Sequence, residues 1–109
     1  MYKFIVYTIS NCSFCYNTLK LLELLNFESE IIHVPEKQKQ EIKIQNEMNT
    51  FPQIFLQYEE NNLITKEKIG GYDNLSLLLK IVISIQKQNI SINVIFFLLG
   101  ICKKNEDSV

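Results

Sequence analysis

A chain of 109 residues and 12.8 kDa, 47% hydrophobic and 21% charged, with two prolines and three glycines, has the profile of one ordered globular domain and not of a linker. Eleven lysines and no arginine against twelve acidic residues give a formal charge of -1, which argues against a nucleic-acid binder with its basic stripe and arginine forks. The N-terminal residues lack a signal-peptide pattern, the longest apolar run, Val94 to Cys102, is nine residues against the roughly twenty of a membrane span, and three cysteines make no disulfide framework. A reducing, cytoplasmic setting with no membrane association is therefore expected.

Lys3 to Thr8 is a near-continuous apolar run that suits a central strand covered on both faces. Ser10 or Asn11 can cap the helix that follows. From Phe14 to Phe27, Cys15, Leu19, Leu22 and Leu25 recur at helical spacing, Leu21 and Leu24 widen the stripe, and Thr18, Lys20 and Glu23 supply its polar positions. Glu30 to Val34 reads as a second strand stopped by Pro35, and Glu36 to Met48 as an exposed helix whose thin stripe is Ile42, Ile44 and Met48. Pro52 to Leu56 is a third strand, Tyr58 to Asn62 a turn, and Leu63 to Lys68 the antiparallel return of a hairpin. Gly70 and Gly71 break that strand, and Asp73 or Asn74 caps a helix from about Leu75 through Gln86. This order predicts an α/β fold, a parallel crossover followed by an antiparallel pair in one mixed sheet with helices on both faces. Ile90 to Cys102 is the least readable stretch; its run Ile95 to Leu99 has no polar face and is expected to pack on the domain.

Cys12-Ser13-Phe14-Cys15 follows a strand and opens a helix. Orphan amides and the helix dipole at that end favour a thiolate, so Cys12 reads as a nucleophile and Cys15, one turn deeper, as the thiol that resolves a mixed disulfide. Two alternatives stand beside the redox pair: inert buried cysteines, or half of a tetrahedral metal site, for which only Cys102 and His33 offer further ligands. No metal is expected. Thr50-Phe51-Pro52 is ordinarily a trans strand start, although a cis bond would turn the Phe51 backbone toward the cysteines and offer it to an extended peptide. Gly70-Gly71-Tyr72-Asp73, taken alone, is a turn and a helix cap, with free amides that can hold a small carboxylate.

Taken together, Cys12-Ser13-Phe14-Cys15, Thr50-Phe51-Pro52 and Gly70-Gly71-Tyr72-Asp73 resemble, in order, the motifs of the glutaredoxins, over about Tyr2 to Ile85. The resemblance implies a thioredoxin-like fold with a four-stranded mixed sheet, and glutathione-dependent thiol-disulfide exchange. It assigns the mixed disulfide with glutathione to Cys12 and its resolution in dithiol reactions to Cys15. It also implies that Phe14 walls the pocket, that Phe51 pairs with the cysteinyl backbone of glutathione, that Pro52 is the cis proline, and that Gly71, Tyr72 and Asp73 hold the γ-glutamyl end. Glutathione would be the reducing co-substrate, and disulfide proteins such as a ribonucleotide reductase the partners of a monomer.

The chain departs from the family pattern at several places. Ile9 stands where a Lys or Arg is common, with Lys39 or Lys43 as a replacement charge for the glycyl carboxylate. Ser13 replaces a proline, a change that in relatives accompanies iron-sulfur cluster binding between two subunits. Phe51 replaces a valine, Phe55 to Gly70 is longer than usual so that the hairpin protrudes, and the apolar tail has no counterpart. Two other functions remain as alternatives: a thioredoxin-like electron donor that does not use glutathione, disfavoured by the absence of tryptophan, and a non-enzymatic iron-sulfur carrier.

Overall fold

Strand β1 (Tyr2–Thr8) carries the architecture, because its five residues from Phe4 to Thr8 are all buried and alternate between two covered faces in a computed structural model that describes residues 2–86. It is followed by α1 (Ser13–Leu24), β2 (Ser29–His33), a 3-10 turn (Glu36–Gln38), α2 (Lys39–Asn46), β3 (Gln53–Glu60), β4 (Leu63–Gly70) and α3 (Tyr72–Gln86). The sheet order is β2-β1-β3-β4, with β1 and β2 parallel and the other two pairings antiparallel. The parallel pair needs a crossover, which α1 supplies. This is the thioredoxin-like α/β fold that the resemblance implies.

The described residues divide into two units between Leu75 and Ser76. In the first, Ile5, Tyr7, Val34 and Phe55 form a buried cluster on one face of the sheet, joined by Ile42 of α2 and by Met48. Phe4 points to the opposite face and meets the ring of Phe27, just beyond α1, edge-on with centroids 5.6 Å apart. Helices α1 and α2 thus cover opposite faces, as the alternation of β1 requires. In the second unit, Leu79 and Val82 of α3 are buried while Leu77 and Ile81 are exposed. No helix among the described residues is long and apolar enough to cross a membrane. The tail Ile90 to Cys102, with its expected packing, lies outside the described residues, as does Cys102.

Several boundaries differ from the sequence reading, each for a local reason. Helix α1 ends at Leu24 and not at Phe27, where Asn26 takes a left-handed φ of 58° and the Asn26 amide turns back to the Glu23 carbonyl. Its buried stripe is Cys15, Thr18 and Leu22, whereas Leu24 is exposed. Thr18, read as a polar position, is fully buried because its hydroxyl donates to the Phe14 carbonyl at 2.8 Å. The segment Glu36 to Met48 splits into the 3-10 turn and α2, which stops where Glu47 adopts a φ of 52°. Strand β3 begins at Gln53 and runs on through Tyr58 to Glu60, so the turn shrinks to Asn61-Asn62, both left-handed, the requirement of a tight two-residue hairpin. Strand β4 continues to Gly70, and α3 starts three residues early, at Tyr72, because Gly71 and not Asp73 precedes its first turn.

Candidate active site

Neither Ser10 nor Asn11 caps α1. Asn11 takes a left-handed φ of 55°, which turns the chain off β1 and leaves Cys12 as the N-cap in an extended conformation. Cys12 Sγ accepts a hydrogen bond from the Cys15 amide at 3.1 Å, the place that a serine or aspartate oxygen fills in an ordinary cap. A sulfur held there has both an N–H donor and the positive end of the helix dipole directed at it, and both favour its anion. The first turn of α1 contains no acidic residue to oppose that effect.

Cys12 and Cys15 are joined as a disulfide with their Cα atoms 5.2 Å apart, which makes this the oxidised form of the pair. Their surroundings differ. Cys12 is part-exposed, while Cys15 is 3% exposed. An incoming thiol or disulfide therefore reaches Cys12 first, and Cys15 can act only on something already attached to its neighbour. Among the described residues no group of three or more His, Cys, Asp or Glu is placed to hold an ion; Cys102 lies outside them. His33 lies at the end of β2 with Nε2 3.5 Å from the Ser10 hydroxyl.

The Phe51–Pro52 peptide bond is cis, and the Phe51 carbonyl oxygen lies 3.8 Å from Cys12 Sγ. Pro52 is fully buried, and Phe51 packs its half-buried ring on the Ile5 and Tyr7 cluster, so its backbone rather than its side chain is presented to the sulfur. The next residue, Gln53, anchors this loop: it is completely buried, accepts from Asn46 Nδ2 at 2.8 Å and donates to the Met48 carbonyl at 3.2 Å.

The glycine motif adjoins the same place. A Cβ on Gly71 would stand 3.9 Å from the Pro52 carbonyl oxygen, and the ring of Tyr72 lies 6.1 Å from that of Phe14. Phe14 is 54% exposed, so the two rings make a wall open to solvent. Asp73 is exposed in the first turn of α3. Cys12, Phe14, Phe51, Pro52, Gly71 and Tyr72 are thus linked into one neighbourhood by short contacts. The Lys39 ammonium pairs with Glu36 at 2.7 Å, and the partly buried Ile9 packs against the Ile5 and Tyr7 cluster.

Asn74 is the residue that sequence reasoning misplaced. Its Oδ1 accepts the Gly71 amide at 3.2 Å from the third position of α3, the returning half of a capping box, and the three-residue spacing from Gly71 was the available signal. Tyr16, Asn17 and Leu19, which with Cys12 line an open groove, carry no such signal, because an exposed helical tyrosine is unremarkable in a sequence.

Residues 4–59, more than half of the chain, match the family model described as Glutaredoxin, a stretch that contains the cysteine pair, Phe51 and Pro52. No curated protein matches the chain.

Proposed function

The chain belongs to the glutaredoxin family and is a thiol-disulfide oxidoreductase, and from that premise we propose that glutathione is its reductant and that glutathione mixed disulfides and protein disulfides are its substrates. The observation that carries the proposal is the asymmetry of the pair, an accessible Cys12 at a helix cap beside a buried Cys15, in one neighbourhood with the Phe51 carbonyl and Gly71.

In the single-cysteine route, the Cys12 thiolate attacks the glutathione sulfur of a mixed disulfide, forms the Cys12–glutathione disulfide and expels the substrate as a thiolate. A second glutathione, as its thiolate, attacks the glutathione sulfur of that adduct. Glutathione disulfide departs and Cys12 regains its anion. For a protein disulfide, Cys12 forms the mixed disulfide with one sulfur and the other leaves. Cys15 gives its proton to that thiolate and attacks Cys12, which frees the reduced protein and leaves the Cys12–Cys15 disulfide; two glutathiones then restore the dithiol. The structure supports glutathione lying along the Phe51 backbone and the Gly71 turn, with Phe14 and Tyr72 as its apolar wall and Asp73 within the turn that meets the γ-glutamyl amine. A disulfide protein such as a ribonucleotide reductase would be a substrate of the second type.

The test is turnover of a small glutathione mixed disulfide by wild type, Cys12→Ser and Cys15→Ser. Cys12→Ser abolishes turnover and Cys15→Ser retains it. Equal loss in both variants refutes the single-cysteine route, and activity with a dithiol reductant but none with glutathione turns the reading to a thioredoxin-like donor.

A further inference from the structure

Cys12 has two flanks. The one toward Phe51, Phe14 and Tyr72 is assigned above to glutathione. On the other lies an open groove of about 600 Å³, lined by Thr8, Asn11, Cys12, Tyr16, Asn17 and Leu19 among others, and no charged side chain lines it among the described residues. The reactive sulfur is part of its wall, so a chain bonded to Cys12 has this groove beside it.

The groove carries one large exposed ring. Tyr16 is 61% exposed, and the Lys20 ammonium stands over it 5.7 Å from the ring centroid. Its backbone is pinned, since the Tyr16 amide donates to the Cys12 carbonyl at 3.1 Å in the first turn of α1. Tyr16 thus sits one helical turn from the sulfur, about 6 Å along the axis, and an extended polypeptide advances about 3.5 Å per residue. A residue one or two places from a substrate cysteine joined to Cys12 therefore reaches this ring.

Building on the exchange reaction assigned to Cys12, we propose that Tyr16 is a specificity-determining residue for polypeptide disulfides, stacking against an aromatic or apolar side chain next to the substrate cysteine. The Cys12 thiolate attacks one sulfur of the polypeptide disulfide and the other leaves as a thiolate. The strand now bonded to Cys12 lies in the uncharged groove with its neighbouring side chain on Tyr16. Cys15 then passes its proton to the departed thiolate and bonds to Cys12, which releases the second sulfur as a thiolate; two glutathiones reduce the enzyme disulfide and leave as glutathione disulfide, one of their protons restoring the Cys15 thiol and the other going to the second thiolate. The ring supplies contact area for this selection, and the Lys20 ammonium is the one charge the structure places beside it among the described residues.

The probes are symmetric disulfide dimers of two short neutral peptides, alike except for Phe or Ser beside the cysteine. Glutathione is the reductant, and each rate is divided by the rate with glutathione alone. Wild type turns over the Phe peptide with a kcat/KM about two- to tenfold above the Ser peptide, the range expected of one aromatic contact. Tyr16→Ala brings the ratio to one and Tyr16→Phe preserves it. A wild-type ratio of one, or a ratio that survives Tyr16→Ala, overturns the inference. So does failure to reduce either peptide while small glutathione mixed disulfides turn over, which leaves the glutathione reading intact; failure on every disulfide overturns both.

Discussion

Gly70 and Gly71 are neighbours in sequence, yet replacement by alanine should have opposite consequences. Gly70 has a φ of +123°, and a Cβ there would stand 2.7 Å from Asn74 Oδ1 and 2.8 Å from its Cγ. The backbone conformation alone costs a residue with a side chain about 1–3 kcal/mol, and the crowding of Asn74, which also breaks its bond to the Gly71 amide, adds about as much. A gain of about 0.4–1 kcal/mol from the stiffer unfolded chain offsets part of this. Gly70→Ala should therefore lose about 2–5 kcal/mol, a fall in Tm of roughly 10–30 °C for a domain of this size. Gly71 has no positive φ, and its Cβ would meet only the Pro52 carbonyl oxygen, at 3.9 Å. Gly71→Ala should leave the urea midpoint within about 0.5 kcal/mol of wild type or raise it slightly, and should raise the KM for glutathione, because the added methyl projects beside the Pro52 carbonyl where the tripeptide is proposed to lie. Adding Asn74→Ala to Gly70→Ala removes Oδ1 and Cγ but leaves the Cβ that stands at 3.1 Å, so the pair should lose less stability than the two single variants together. Urea unfolding of the four variants checks this. Equal losses at Gly70 and Gly71, or strict additivity with Asn74→Ala, would refute the geometry.

Thr18→Val keeps the shape of a fully buried side chain but removes its 2.8 Å bond to the Phe14 carbonyl, and should cost about 0.5–1.5 kcal/mol in urea unfolding; no loss would show that the hydroxyl is idle. The Lys3 ammonium, hydrogen-bonded at 2.9 Å and attracting by its charge, holds the Glu30 carboxyl below the usual glutamate range. The ionised form is favoured by folding, so this pair adds stability above the ordinary glutamate range and loses it as pH falls through the depressed value. Lys3→Ala should move the Glu30 midpoint upward in a carboxyl NMR titration, and an unmoved midpoint would exclude the pairing in solution.

Legibility in the sequence followed the range of the interaction that sets each feature. β1, the order of elements and the location of the cysteine pair are set by local composition, and they were readable. So was the Asn61-Asn62 turn, because asparagine tolerates left-handed backbone at little cost. Helix ends were not, since they depend on which residue takes an unusual φ: Asn11 and Asn26 were read as a cap and a helix residue, and both serve instead as left-handed hinges. Burial of Thr18 was hidden because a threonine satisfied by its own helix behaves in the core as an apolar residue. The convergence of Cys12, Phe51 and Gly71 depends on the sheet order that brings β1 beside β3 and β3 beside β4, with a register shift between Ile54 and Phe55 just before the pairing of Ile54 with Gly70. Spacing along the chain contains none of that.

The replacement of a common basic residue by Ile9 has a structural logic that follows from where its side chain goes. Ile9 packs its partly buried side chain on Ile5, Tyr7, Val34 and Phe55, an apolar contact that isoleucine fills without having to carry a charge out to water. Three lysines have partners of their own: Lys39 pairs with Glu36, Lys68 donates to the Glu47 carbonyl at 3.1 Å, and Lys66 stands over the rings of Tyr7 and Phe55. The Cys15 amide and the helix end, which favour an anion at Cys12, are fixed by the backbone. Fixed dipoles of this kind need no side chain to be ordered and hold their orientation as the sulfur changes charge, so a cysteine at this cap can be a nucleophile without a charged neighbour. On the proposed function, recognition then rests on main-chain pairing and ring contacts, since the Phe51 carbonyl lies 3.8 Å from Cys12 Sγ and the groove beside that sulfur includes Tyr16.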